Sequence, residues 1–144
     1  MTTHRPSRST ATDPWTWIFL LSAIGNLANG LWMLADPVSW YTTLPAAVPD
    51  FGPLNEHFVR DIGSTFAMLG VGLLWAAYRP AVRVPVLVLV TLFNGLHALV
   101  HVYDTGRGLV GPAHWGIDFP AVYLPAVVLL ILTAVLVRRP EGHA

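Results

Sequence analysis

Long apolar stretches alternate with short polar connections along this chain. A hydrocarbon core about 30 Å thick needs about 20 residues of apolar helix, and four stretches reach that length. They are residues 15–35, 54–78, 84–103 and 117–137. The pattern predicts an all-α fold, an integral membrane four-helix bundle over residues 14–139. A disordered polar tail is expected at 1–13 and a short polar tail at 140–144.

The composition supports a membrane protein and excludes several kinds of site. Hydrophobic residues make up 54% of the 144 residues and charged residues 11%, against about 25% charged in a typical soluble chain. There is no cysteine, which excludes disulfides, thiolate nucleophiles and iron–sulfur clusters. The formal net charge is zero, so nucleic acid is not an expected partner, whereas the lipid bilayer is.

The arginines predict the orientation of the bundle. Three pairs lie before the first stretch, between the second and third, and after the fourth: Arg5 and Arg8, Arg79 and Arg83, and Arg138 and Arg139. The positive-inside rule makes that side cytoplasmic. We therefore expect a multi-pass protein of the inner (plasma) membrane with both termini inside.

A weak internal repeat is compatible with two parallel hairpins. Asn-Gly-Leu occurs at 29–31 and 94–96, Gly-Pro follows at 52–53 and 111–112, and each Gly-Pro precedes a His-x-x-x-Asp motif. Repeats of this kind are related by an axis along the membrane normal. Gly-Pro is also ordinary punctuation before a helix, so a chance match remains the alternative.

Polar residues recur at helical spacing inside three of the apolar stretches. Residues three and four apart share a helix face, so each set forms one stripe. The stripes are Asn94, His97, His101 and Asp104; His57, Asp61, Ser64 and Met68; and Ser22, Asn26, Asn29, Met33 and Asp36. Because polar groups facing lipid are costly, we expect all three stripes to face the bundle interior.

Helical rise places the polar ends of these stripes at similar depths near the outer surface. Imidazole and carboxylate groups together favour zinc or non-haem iron over copper or haem b. We predict a metal site whose ligands are drawn from His57, Asp61, His97, His101 and Asp104. Asp61 or Glu56 could then act as general base on bound water.

Other interpretations of the same cluster stay open. It can be a hydrogen-bonded seam that only specifies helix packing, or a proton relay, or a haem b or quinone-linked electron carrier using a pair such as His57 and His97. His114 and Asp118 are either further ligands or a helix cap or interface pair.

Glycine and proline positions predict two packing features. Gly63, Gly70 and Gly72 would let a neighbouring helix approach closely. Pro120 and Pro125 predict a kink in the fourth stretch.

The second stretch resembles a helix of the DoxX-like family of small bacterial membrane proteins. The matching positions are an arginine followed by glycine and a small-residue run ending in Gly-Leu: Arg60, Gly63, Gly70, Gly72 and Leu73. The resemblance covers about 20 residues and the four-stretch layout. It implies a membrane four-helix bundle, with the redox-associated role claimed for some relatives.

These observations lead to three functional hypotheses. The first is a membrane oxidoreductase or hydrolase acting at the His/Asp site on a lipid-soluble or periplasmic substrate. The second is a non-enzymatic accessory protein, and the third is the electron carrier. A homo-oligomer or another membrane protein is an allowed partner in each.

Overall fold

The computed structural model describes residues 13–138; 84% of these residues are helical, and none of them lies in a strand. The all-α fold class is therefore confirmed. The helices are α1 Pro14–Ala35, α2 Pro37–Thr43, α3 Glu56–Tyr78, α4 Arg83–Gly106, α5 His114–Ile117 and α6 Leu124–Val137. Short 3-10 turns cover Val48–Phe51 and Pro80–Val82. The predicted tails lie outside the described residues, except for Asp13.

Four helical segments are long and apolar enough to cross a membrane, and each overlaps one predicted stretch: Pro14–Ala35, Glu56–Tyr78, Pro80–Gly106 and Phe119–Val137. Local signals fix where the first two begin. The Asp13 side chain accepts a hydrogen bond from the backbone N–H of Trp15, and Asn55 accepts one from Phe58. Such caps satisfy N–H groups that have no partner within the helix.

Helices α1 and α3 pack together tightly, whereas α4 packs mainly on α6. A Cβ atom added at Gly30 would come within 2.6 Å of the backbone nitrogen of Ala67, and one at Gly63 within 2.7 Å of Met33 Cβ. A Cβ at Gly70 would come within 2.6 Å of Leu27. Close helix approach is therefore confirmed at Gly63 and Gly70, while a Cβ at Gly72 would meet nothing nearer than 3.8 Å.

A buried arginine ties the first hairpin to the second at the end that holds Asp13. Arg83 is 6% exposed; its guanidinium pairs with Asp13 and donates to Thr16 Oγ1 at 2.9 Å. It also donates to the carbonyl oxygens of Ala76 and Ala77, both at 3.1 Å. The arginine thus satisfies carbonyls at the C-terminal end of α3, where positive charge complements the helix dipole.

The proline pair of the fourth stretch changes the helix type at its start. Residues Phe119–Tyr123 form a π-helical turn, in which the backbone N–H of Tyr123 donates to the carbonyl of Asp118, five residues earlier. Pro120 and Pro125 cannot donate backbone hydrogen bonds, so the regular α pattern is interrupted between them. This turn lies directly after Asp118 and helps to set its position.

Candidate functional site

The site lies at the end of the bundle formed by the connections 36–55 and 107–118, here called the loop end. Its first element is the polar stripe of α4. The imidazole rings of His97 and His101 meet edge to face, with their centroids 4.7 Å apart, and His97 also stacks on Phe93 at 6.2 Å. One turn deeper, Asn94 donates to the carbonyl of Val90 at 2.9 Å.

A buried carboxylate joins His101 to a second histidine. Asp118 Oδ2 lies 2.8 Å from His101 Nδ1, and Asp118 Oδ1 lies 3.3 Å from His114 Nδ1. Asp118 is 0% exposed and His114 2%. A fully buried carboxylate needs such partners, because an uncompensated charge in an apolar interior is very costly.

The chain of contacts continues to the surface through the first long connection. His114 Nε2 lies 3.1 Å from Asp50 Oδ2, and the Asp50 side chain is 59% exposed. The rings of His101 and His114 each make an edge contact with Phe51, both at 4.9 Å between centroids. Asp50, His114, Asp118 and His101, here called the His–Asp chain, thus run without interruption from an exposed carboxylate to the interior of the bundle.

The loop carrying Asp50 and Phe51 is held in an unusual backbone conformation. Ala47, directly before the 3-10 turn Val48–Phe51, has a φ of 47°, in the left-handed region. A non-glycine residue there costs about 1–2 kcal/mol. The contacts of Phe51, and the hydrogen bond from the Tyr41 hydroxyl to the carbonyl of Gly52 at 2.7 Å, hold the loop over the site.

The hydrogen-bond geometry favours one protonation state of His114. An ionised carboxylate only accepts hydrogen bonds. His114 faces a carboxylate oxygen on both sides, so the imidazolium form, which donates from both nitrogens, is the form that matches both carboxylates when they are ionised. Burial lowers the pKa of His114, but the hydrogen bonds and charges of Asp50 and Asp118 outweigh it and raise that pKa above its ordinary value. His101 contacts Asp118 through Nδ1, and its Nε2 takes no part in the contacts of the chain.

Two buried hydroxyls lie beside the His–Asp chain. Thr105 Oγ1 and Tyr123 Oη have no hydrogen-bond partner within residues 13–138. Tyr123 is placed by the π-helical turn after Asp118, and Thr105 lies one turn beyond His101 on α4. The two hydroxyls lie close enough to interact with each other, so each is the other's nearest polar partner although their geometry falls short of a regular hydrogen bond.

The predicted residues of α3 do not take part in this chain. His57 pairs with Asp61 at 3.4 Å, and their side chains are 87% and 62% exposed. Glu56 pairs with Arg60 at 3.0 Å on the same helix. On α4, Asp104 pairs with Arg107 at 3.3 Å. The structure therefore brings together His97 and His101, but no hydrogen bond or ion pair joins them to His57, Asp61, Glu56 or Asp104.

The metal prediction gains no support from this arrangement. Among residues 13–138, no group of three or more His, Asp or Glu side chains is arranged to hold a metal ion. Ligation by zinc, non-haem iron, copper or haem b stays a prediction from the sequence.

Sequence reasoning missed Asp50 and Phe51, and it assigned no definite role to His114 and Asp118. The His-x-x-x-Asp motif at 114–118 was a usable signal, since the structure forms both this pair and its counterpart His57–Asp61. Asp50 carries no comparable signal, because its partner lies 64 residues away.

A cleft lies deeper in the bundle, on the interior side of the histidines. It is a half-open groove of about 250 Å³ between α1, α4 and α6. Its polar lining comes from Ser22, Asn26 and Asn94, and the rest is apolar. Asn94 is one helical turn from His97 and two turns, about 10 Å, from His101 at the inner end of the His–Asp chain; neither histidine lines the cleft.

No family model, curated protein or solved structure matches the chain. The resemblance of α3 to DoxX-like proteins therefore stays a prediction.

Proposed function

We propose that this chain is an integral membrane protein that transfers protons between the aqueous surface at Asp50 and a lipid-soluble substrate bound near His97. The observation that carries the proposal is the unbroken His–Asp chain, in which a fully buried carboxylate, Asp118, bridges two imidazoles.

Membrane insertion is supported by the four long apolar helices and by the side chains that they expose. The surfaces of α1, α4 and α6 are lined by exposed Leu, Ile and Val. Uncovered apolar surface on this scale belongs in lipid rather than in water. The arginine pairs favour placing the loop end outside the cytoplasm.

Proton transfer is supported by the chemistry of each link in the chain. Every contact joins an imidazole nitrogen to a carboxylate oxygen at 2.8–3.3 Å. Imidazole is the side chain best suited to exchange protons near neutral pH. The exposed carboxylate of Asp50 connects the chain to water, and His101 presents a free Nε2 at the other end.

A substrate near His97 is supported by the cleft below it. The amides of Asn26 and Asn94 can hydrogen-bond a polar group in an otherwise apolar space. Ligand sites are commonly apolar with a few polar groups of this kind. The substrate is therefore expected to be a lipid-soluble molecule with a hydrogen-bonding head.

The alternative is a network that only holds the loop end together. Polar contacts between membrane helices commonly do this, at about 0.6–2 kcal/mol each. The exposed position of Asp50 distinguishes the proton-transfer function from the packing network. An exposed carboxylate adds little to stability, whereas it is the entry point of a proton chain.

The test is the rate at which the buried histidines take up protons. His4, His57 and His143 are replaced by Gln, so that the remaining three histidines belong to the site. Imidazole protonation is then followed by time-resolved infrared spectroscopy after a laser-induced pH jump in nanodiscs. Asp50→Asn and Asp118→Asn should each slow protonation by about a hundredfold, the scale of a lost acid–base group.

The matched control is Asp104→Asn, which removes a carboxylate at the same end but outside the chain, and which should leave the rate unchanged. If Asp50→Asn folds normally and protonation is as fast as in the parent, the proton-transfer proposal fails and the packing network is favoured.

A further inference from the structure

Of the three predicted polar stripes, the one on α3 is exposed, contrary to the prediction, whereas those of α1 and α4 meet at the cleft between α1, α4 and α6. The cleft lies where the two hairpins are packed least closely. Helix α1 packs on α3, and α4 packs on α6, whereas α1 makes few contacts with α4 or α6. Gly25 lines the cleft, and a Cβ atom added there would meet nothing within 4 Å. The described chain therefore leaves this space unfilled.

Two asparagine side chains in the cleft keep hydrogen-bond acceptors without partners. Asn26 Nδ2 donates to the carbonyl of Ser22 at 2.9 Å. Asn94 Nδ2 donates to the carbonyl of Val90 at the same distance, 2.9 Å. Turning either amide over would bring its oxygen against a carbonyl oxygen, so the backbone sets both orientations. Within residues 13–138, the Oδ1 atoms of both side chains accept no hydrogen bond.

Other polar side chains on the same helices are paired across helices. The hydroxyls of Thr91 on α4 and Thr133 on α6 lie 2.7 Å apart. Asn29 Oδ1 accepts a hydrogen bond from Trp40 Nε1 at 2.9 Å. An amide oxygen in an apolar environment is costly without such a partner. The two unpaired oxygens in the cleft thus indicate that a further molecule donates a hydrogen bond there.

The position and lining of the cleft restrict what that molecule can be. Asn26 and Asn94 lie near the middle of α1 and α4, so in a membrane the cleft is far from water and from lipid headgroups. Its lining includes no charged side chain, and a charged head would be costly at this depth. A carbonyl or an ether only accepts hydrogen bonds and would leave both oxygens unpaired. A hydroxyl supplies the missing donor, and its own oxygen can accept from Ser22 or from a remaining amide N–H.

We propose that the cleft binds an uncharged, apolar molecule through a hydroxyl head, which donates to the amide oxygen of Asn26 or Asn94. The molecule is a phenol or a long-chain alcohol. This inference rests on the membrane substrate site proposed above, but not on proton transfer along the His–Asp chain.

NMR of the side-chain amides tests this directly, because the chain has no glutamine and its asparagines are Asn26, Asn29, Asn55 and Asn94. Nitrogen-15-labelled protein in detergent micelles is titrated with para-nonylphenol and, separately, with the methyl ether of that phenol, which keeps the apolar body but lacks the donor. The amide signals of Asn26 and Asn94 should shift and saturate at about a fivefold lower concentration of the phenol, a ratio that one hydrogen bond can support. Those of Asn29 and Asn55, which are hydrogen-bonded outside the cleft, should not shift. The same pair of titrations with dodecanol and its methyl ether shows whether a phenol or a long-chain alcohol binds more tightly.

Variants assign the signals and block the cleft. Asn26→Leu and Asn94→Leu each remove one amide signal and so identify it. Gly25→Leu fills the cleft with an apolar side chain and should abolish the shifts, and the open space beside Gly25 lets the variant fold. Gly95→Leu is the matched control: it also enters open space, but outside the cleft, and should leave the shifts unchanged.

Four results would each overturn the proposal: equal saturation by the hydroxyl compounds and their ethers, similar shifts of all the asparagine amides, shifts that survive Gly25→Leu, or no saturable shift at all. Proton uptake by the histidines is measured without any ligand. Its failure would leave these shifts unaffected, so the two proposals fail independently.

Discussion

Gly30→Ala is the substitution whose effect the packing defines most sharply. The added Cβ would lie 2.6 Å from Ala67 N, 2.7 Å from Gly63 O and 3.1 Å from Phe66 C. All three are backbone atoms of α3, so no side-chain rotation can relieve the contact. An ordinary contact begins at 3.4 Å, so α1 and α3 must separate locally by about 0.8 Å.

The expected energy follows from two opposing effects. Overpacking of this kind costs about 1–3 kcal/mol. Replacing glycine by alanine in a helix returns up to about 1 kcal/mol. Gly30→Ala should therefore destabilise the protein by up to about 2 kcal/mol, and by about 1–3 kcal/mol relative to a glycine-to-alanine change without overpacking.

The assay is unfolding by titration with sodium dodecyl sulfate, followed by circular dichroism and tryptophan fluorescence. Gly95→Ala is the matched control, because a Cβ at Gly95 meets no atom within 4 Å. It should be neutral or stabilising by up to about 1 kcal/mol. If Gly30→Ala is as stable as Gly95→Ala, the tight α1–α3 contact is not present in the folded protein.

Three further predictions concern a buried charge, a titration and a metal. Arg83→Lys should lower stability by about 1–3 kcal/mol, because a lysine keeps the charge beside Asp13 but cannot replace all four hydrogen-bond partners of the guanidinium; unfolding no easier than in the parent would contradict this. The pKa of His114 is raised in the folded protein, so protonation of this residue stabilises the fold fully below the ordinary pKa of 6.5, and the stabilisation is lost as pH rises through the folded pKa. The difference in unfolding free energy between the parent and His114→Gln should therefore shrink with rising pH. A difference that grows with pH would refute this prediction. Elemental analysis of untagged protein tests the sequence-based metal prediction. The prediction requires one equivalent of zinc, iron or copper in the parent and loss of that metal in the double variant His97→Ala, His101→Ala. Metal-free parent protein, or metal retained by the double variant, would count against the prediction.

The lengths of the apolar stretches were enough to predict the long helices, because a run of about 20 apolar residues matches the length of a helix that crosses a hydrocarbon core. Helical spacing also predicted which residues share a face. Helical spacing could not predict which face is buried: His97 and His101 of α4 face the bundle, while His57 and Asp61 of α3 are exposed. Which face is buried depends on contacts such as Gly30 against Gly63, which join residues from different helices.

The proton chain was harder to predict for a related reason. His101 and Asp118 are 17 residues apart, and Asp50 reaches His114 across 64 residues through an irregular loop. No helical period connects such positions. The left-handed conformation of Ala47 and the π-helical turn after Asp118 help to align them, and neither follows from the polar pattern.

The protonation state of His114 is the most direct test of the account. Nitrogen-15 NMR of ring-labelled protein at pH 6.5 distinguishes an imidazolium from either neutral tautomer, with His114→Gln identifying the signal. Both His114 nitrogens should be protonated, and Asp118→Asn or Asp50→Asn should remove this state. A His114 ring that is neutral at this pH in the unaltered protein would contradict the chain from Asp50 to His101.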